Sequence, residues 1–401
     1  MVHRAQSWLL DDQVIIAPED RLAQQLLAIA RTNQTRPLCR CRDGGVEMYV
    51  ARTPGGRFII KRLPNSSPLH HLDCDSYEPP QALSGRGSIA TDEDSDGATV
   101  LRLGFSLRRE QGRSGSASGS SDRTARPGRG HAPAAGQLSL EALLHYLWDE
   151  GGFTRWSPRM EGKRNWSLIR YHLMRVAGQT RIADQSLEDL LWIPEPFDRR
   201  RRDEIEVRRH QAWEPLQQVD GALSDSRPFG LAVLEWAGIK PARYGQAITV
   251  KQMARPPFMV DDDVAQALTA RFPQVDLHAQ HQDGHLFMAS TFSLSRGGYP
   301  VVEDAAFLAT DAHWLPYDST AGHQLLAAAT GRRFTTPLRY GMTTSQPTPA
   351  IVLTDTPEPV AAYIANDRKE AERAQQAAEE AGVSAWVWRT GHTIPPLPPP
   401  R

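Results

Sequence analysis

Cysteine is scarce in this chain of 401 residues: there are three, Cys39, Cys41 and Cys74, all within the first fifth. Three thiols cannot build the disulfide framework of a small secreted domain, and an odd count suits a reducing cytoplasm. Long apolar runs are missing too. No stretch approaches the roughly 18 to 20 residues that span a bilayer, and Asp11 and Asp12 interrupt the apolar start at Trp8, Leu9 and Leu10 before it resembles a secretory leader. Net charge is nearly absent, at -1, so no global field draws the protein to nucleic acid or to an anionic membrane, and any such contact has to be local. These absences describe a cytoplasmic protein with no membrane partner. Catalytic motifs are equally thin. There is no Gly-rich phosphate loop ending in Gly-Lys-Ser or Gly-Lys-Thr, no Gly-x-Ser-x-Gly elbow and no His-Glu-x-x-His, so no small-molecule substrate is identified.

The few cysteines are well placed. Cys39-x-Cys41 and Cys74, with His70 and His71 just upstream of the last, supply three thiolates and one imidazole, a full tetrahedral set for a zinc ion. His71 is the preferred fourth ligand because His-x-x-Cys is a compact spacing. His70 is the alternative, since His-x-x-x-Cys puts both side chains on one face of a helical turn. Between the ligand pairs, Val46 to Val50 and Arg57 to Lys61 flank the turn cluster Thr53-Pro54-Gly55-Gly56, a β-hairpin that folds the pairs together. Four protein ligands leave no open coordination position, so the zinc is expected to be structural rather than catalytic. His278, His281 and His285 form a weaker second candidate, on a loop rich in polar residues.

The organisation expected is a multidomain α+β chain in five parts. Residues 1–107 form a small zinc-stabilised β-hairpin module, with a flanking strand and a helix opened by Pro18 that carries Leu22, Leu26 and Ile29 on one face. Residues 108–136 are a Ser/Gly/Arg/Pro linker, too poor in apolar side chains to offset the entropy of ordering it. Residues 137–222 are a central helical region. Leu140, Leu143, Leu144, Leu147 and Trp148 follow the cap Ser139, and a second helix from Asn165 to Ala177 turns Arg170 and Arg175 outward. Lys163 and Arg164 precede that second helix. With Arg170 and Arg175 they are the candidate nucleic-acid contacts of a helix-turn-helix arrangement; an ordinary helical hairpin with a solvated basic face is the competing reading.

Residues 223–392 form a C-terminal α/β domain, with a hairpin around Arg296-Gly297-Gly298, and residues 393–401 a Pro-rich, unpacked tail. From Ala321 the order helix, three strands, helix, strand is that of restriction-endonuclease-like cores. Such a core needs an acid on its second strand and a carboxylate-x-Lys on its third, to hold Mg²⁺ and orient water. Asp355 stands at the first place, but Val360-Ala361-Ala362-Tyr363-Ile364 lacks both groups of the second. The core is therefore expected to be degenerate.

The blocks Gly45-Val46-x-Met48-Tyr49-Val50-Ala51-Arg52, Lys61-Arg62-x-Pro64, His71-x-x-Cys74, Ser76-Tyr77-Glu78-Pro79-Pro80, Arg155-Trp156-Ser157-Pro158 and Gly162-Lys163-Arg164-x-Trp166 resemble the bacterial family catalogued as domain of unknown function 1173. The resemblance covers nearly the whole chain. It implies a setting, an intracellular protein of plasmids and integrative elements, and brings no catalytic residues with it. The expectation is an accessory protein of mobile genetic elements that binds zinc and engages DNA or a DNA-processing protein. A divergent metal-dependent nuclease built on the C-terminal core is the alternative, so an enzymatic role stays open.

Overall fold

The computed structural model describes residues 6–53, 55–63, 66–89, 92–93, 99–110, 136–217, 226–281, 283–342 and 346–401. Residues 111–135 of the expected linker, with Arg113, Arg123, Arg126 and Arg129, lie outside the described residues.

An antiparallel sheet opens the chain. Its strands are β1 (Trp8–Leu10), β2 (Gln13–Ile15), β3 (Leu38–Cys39), β4 (Val46–Arg52) and β5 (Phe58–Arg62), in the order β2-β1-β3-β4-β5. Alternation along β4 turns Val46, Met48 and Val50 inward, as a half-buried strand requires. Helix α1 (Arg21–Thr32) lies across this face. It starts at the cap Asp20, not at Pro18, and buries Ala23, Leu27 and Ala30, while Leu22 and Ile29 stay exposed. The expected apolar face is thus displaced by one residue. Small alanines at the contact let the helix axis approach β4 closely, which leaves the bulkier neighbours at its flanks.

Helix α2 (Leu140–Glu150) is capped by Ser139, whose hydroxyl accepts from the Ala142 amide at 3.1 Å. Every residue from Ala142 to Trp148 is buried. A helix with no polar face must be covered all round, and this one is. On one side lies the hairpin of β9 (His285–Leu294) and β10 (Pro300–Thr310), where Trp148 meets Phe287 at 4.4 Å between ring centroids. On another, His145 Nδ1 accepts from the Tyr340 amide at 3.0 Å. Helix α3 (Trp166–Ala177), capped by Asn165, packs beside α2, and α4 (Arg202–Trp213) follows.

Strands β9 and β10 belong to a closed barrel with β6 (Gly230–Pro241), β7 (Gln246–Val250) and β8 (Met253–Val260). The order is β6-β7-β8-β10-β9, and β9 pairs back onto β6. Within these five all neighbours are antiparallel except β8 and β10, which run parallel at Met259↔Val301, and Leu191–Trp192 adds a short sixth strand parallel to β6. Helices α5 (Asp262–Arg271) and α6 (Gln274–Gln280) fill the connection between β8 and β9. The apolar cluster around α2 runs from Ile89 to Trp388, so the boundary expected between residues 222 and 223 does not divide the core. A helix without a polar face has to share its surroundings with the barrel.

Beyond the barrel come α7 (Thr320–Ala329), β11 (Phe334–Thr335), β12 (Ile351–Leu353), β13 (Val360–Ala365), α8 (Arg368–Glu380) and β14 (Ser384–Arg389). The sheet order is β14-β13-β12-β11, extended by Arg155–Trp156. The order of elements matches the expectation from sequence. The tail does not. Trp386 Nε1 donates to the Pro396 carbonyl at 3.2 Å, Arg332 to that of Pro398 at 2.7 Å, and Ile394 and Leu397 rest on the core. Proline keeps its carbonyl acceptor while lacking an N–H to satisfy, so this segment lies against the face of β14 that carries Trp386 and Trp388. Among the described residues no helix is long and apolar enough to cross a membrane.

Candidate metal centre

The turn after β3 brings two thiols together. Gly45 sits at φ 73°, and a Cβ there would meet the Leu38 Cβ at 2.9 Å, so the tight return from Cys41 into β4 depends on glycine. Strand β5 then runs antiparallel to β4 and delivers a 3-10 turn, Ser67–Leu69, that ends at His70. The following turn closes with the Cys74 amide on the His71 carbonyl at 2.8 Å. Cys39, Cys41, His70 and Cys74 meet here, each offering one ligand atom, with all four atoms within 4.8 Å of one another. Cys39 Sγ lies 3.6 Å from Cys74 Sγ, Cys41 Sγ 3.3 Å from His70 Nδ1, and Cys74 Sγ 3.7 Å from the same nitrogen. The sulfur separation is far beyond the roughly 2.05 Å of a disulfide, and all three cysteines are free.

The histidine preferred from spacing is replaced by its neighbour. His70 is fully buried with Nδ1 in the cluster, whereas the His71 side chain is 43% exposed and its Nδ1 accepts from the Asp73 amide. The turn ending at residue 70 decides this, because it aims the two side chains to opposite sides. Backbone amides support the sulfurs: that of His71 points at Cys41 Sγ and that of Ser76 at Cys74 Sγ, both at 3.4 Å. The hydrogen bond from Cys39 favours the Cys74 thiolate and holds its pKa down at about 4, while the same bond, with burial, pushes the Cys39 thiol up. Three thiols and an imidazole in one pocket can hold a metal ion.

A second set of polar groups went unrecognised in the sequence. Four residues after Cys74, Glu78 accepts from Arg62 at 2.6 Å and from Arg155 at 3.1 Å, and lies 3.7 Å from Arg86. Arg86 continues to Asp149 at 3.4 Å and to Glu150, both at the C-terminal end of α2. Asp149 also accepts from the Tyr340 hydroxyl at 2.9 Å and the Thr154 hydroxyl at 2.8 Å. Burial pushes Glu78 up, but Arg62, Arg86 and Arg155 outweigh it and hold its carboxyl at about 2. Burial wins at Asp149, whose pKa is raised. The network floors a cleft of about 1750 Å³ between the N-terminal sheet and the helices. One signal was available: two acids directly after the run Leu147-Trp148 at the end of a largely apolar helix.

The basic candidates differ in exposure. Arg164 is turned inward, donating to the carbonyls of Phe153 at 3.2 Å, His313 at 3.0 Å and Arg155, and burial lowers its pKa to about 10. Arg170 donates to the Ile193 carbonyl at 3.0 Å. Lys163 and Arg175 are exposed, the latter against His172 at 3.2 Å. Helix α3 also exposes Ser167 and Tyr171, whereas residues 142–148 of α2 are buried. Asp355 faces Arg332 with both carboxylate oxygens, at 2.8 and 2.9 Å, and also accepts from the Arg333 amide. Its oxygens serve a guanidinium. His278, His281 and His285 are not gathered either: His285 binds Glu235 at 2.6 Å, and His281 stacks on His323 at 4.0 Å.

A family model described as "Protein of unknown function (DUF1173)" matches residues 12–391, nearly the whole chain. No curated protein and no solved structure matches it.

Proposed function

The chain belongs to that family, and on this premise we propose that it is a zinc-organised binding protein of a mobile genetic element, acting in the cytoplasm on DNA or on a protein that handles it. One observation carries the zinc assignment. Arms of roughly 2.3 Å to sulfur and 2.0 Å to nitrogen give a tetrahedron with edges of about 3.8 Å between sulfurs and about 3.5 Å between sulfur and nitrogen. The separations of 3.6, 3.3 and 3.7 Å fit those edges. Cys39, Cys41, His70 and Cys74 would hold the ion, which supplies cross-linking rather than Lewis-acid chemistry because all four positions are taken. The chain's own residues pass that constraint on. The Tyr77 amide caps the Cys74 carbonyl at 2.9 Å, so fixing Cys74 fixes Glu78 and, through it, the arginines that seat the module on α2.

The test is metal content by mass spectrometry of the purified full chain. About one zinc per chain is expected for the wild type and for His71→Ala, and a loss for Cys41→Ser and His70→Ala. Retention in His70→Ala, or no zinc in wild-type protein prepared without chelator, would overturn the assignment. Mobility shifts with DNA, repeated after chelation, test the binding role separately.

A further inference from the structure

We infer that one end of the barrel is a binding surface for single-stranded nucleic acid, contacted through Tyr244 and Tyr299. This deepens the binding-protein reading by naming a partner and a surface remote from the metal. Numbered along the barrel, the strands close in the order 1-2-3-5-4-1, with the third and fifth parallel and the helical connection between the third and fourth. That is the arrangement of the oligonucleotide- and oligosaccharide-binding barrel, whose ligands lie over the second and third strands and between the 1–2 and 4–5 loops. Topology alone assigns no ligand. The residues in those two loops do.

The 1–2 loop joins β6 to β7 through Ala242-Arg243-Tyr244-Gly245, and the 4–5 loop joins β9 to β10 through Ser295-Arg296-Gly297-Gly298-Tyr299. Pairing places both beside the end of β8: Gln246 opposes Val260, and Met259 opposes Val301. Their roots are therefore two strand spacings apart, on the order of 10 Å. Gly245, at φ 70°, seals the first loop against β8, since a Cβ there would meet the Val260 carbonyl at 2.4 Å. Each loop holds up a tyrosine next to basic charge. Tyr244 is 76% exposed with the Arg243 guanidinium 5.4 Å from its ring centre, and Tyr299 is 50% exposed three residues after Arg296.

Such exposure is costly without a partner. Among the described residues twelve large apolar or aromatic side chains are exposed, and three of them, Ile239, Tyr244 and Tyr299, gather here. Lys240, Arg243 and Arg296 are exposed as well, and among the described residues none forms an ion pair with a carboxylate. Rings for base stacking beside unpaired cations for the phosphates are what a single strand needs. A duplex hides its base faces and offers the rings nothing. Asp261, Asp262 and Asp263 follow β8 directly, between the roots of the two loops, where Asp262 accepts from Gln246 at 2.9 Å; their charge opposes phosphate, so the loop cations have to outweigh it.

The experiment is fluorescence anisotropy of labelled dT20 and rU20 with the full-length, zinc-containing protein, against an unlabelled 20-base-pair duplex as competitor. Single strands are expected to bind and the duplex to compete poorly. Tyr244→Ala and Tyr299→Ala should each weaken binding about fivefold or more, Tyr244→Phe should restore it, and Arg243→Ala/Arg296→Ala should flatten the salt dependence. Unchanged zinc content and melting temperature show that these loop variants fold. If single strands bind the tyrosine variants as tightly as the wild type, the barrel surface is excluded while the binding-protein reading stands. If the protein takes only duplex DNA or a neutral oligosaccharide, the inference fails. If it binds no nucleic acid at all, the DNA part of the proposed function falls with it.

Discussion

The N-terminal module gathers ten buried apolar residues around Leu27 and Met48, whereas the cluster around α2 draws its members from Ile89 to Trp388. The two regions also differ in what sits at their centres. In the module, Cys39 is both a buried core residue and one corner of the candidate ligand set; in the core, α2 contributes the hydrogen-bonded His145 and Tyr146 hydroxyl to a surrounding that is otherwise apolar side chain. A small apolar cluster leaves a domain marginal, and a metal is one of few staples that compensate. The larger region needs none. Between the two lies the Glu78 network, so a candidate metal site, buried charge and apolar packing occupy three successive zones.

Metal removal should separate the zones most sharply. Binding energies of about 10 to 16 kcal/mol are typical of structural zinc in small modules, so chelation or Cys41→Ser should unfold residues up to about Tyr77 while the barrel keeps its structure. Hydrogen exchange resolves this: protection lost in β1 to β5 and kept in β9 and β10 supports the division, and uniform loss breaks it. Trp148→Ala should act in the opposite place, costing about 3 to 5 kcal/mol. Its denaturation midpoint should fall with zinc content unchanged.

Glu78→Gln strikes the junction, and pH tells whether charge holds it. The folded pKa of about 2 lies below the ordinary 4.5, so the stabilisation is complete above roughly pH 4.5 and is lost as pH falls towards 2. It corresponds to about 3 kcal/mol. Asp149, raised by burial, works the other way, because its protonation in acid relieves a destabilising charge. The wild type should therefore exceed Glu78→Gln in chemical-denaturation stability at pH 7, and the two should converge near pH 2. A constant gap would mean packing rather than charge. The smallest effect belongs to Lys163→Ala, which is exposed and should change stability by less than about 0.5 kcal/mol, in contrast to its neighbour Arg164, bound to three carbonyls. Equal losses at both positions would contradict that placement.

Much of this was legible wherever the cause is local. The caps Ser139, Asn165 and Asp367, the hairpin between the ligand pairs, and the order of elements after residue 320 follow from signals within a few residues. The gathering of the three cysteines was legible for the same reason. Choosing between His70 and His71 was not, because both spacings are chemically sound and only the 3-10 turn before them selects the inward side chain. Barrel closure is invisible for a different reason: it hangs on Met259 meeting Val301 and on β9 returning to β6, pairings that local periodicity does not encode. An arginine beside a turn reads alike whether it reaches solvent or, as Arg164 does, three backbone carbonyls.

The contact between Arg401 and Asp73, at 2.6 Å, links two places that the chain separates by 328 positions. Asp73 stands beside the ligand Cys74 and is also gripped by Arg333, while the Arg401 amide donates to the Asp355 carbonyl at 2.8 Å. Arg401 thus works as a latch on the loop that carries Cys74. A fluorophore at position 401 would serve as a gauge of metal loading, brightening or dimming as that loop lets go. Conversely, a bulky label there would press on the loop of Cys74 directly, although 328 positions separate Asp73 from Arg401 in the sequence.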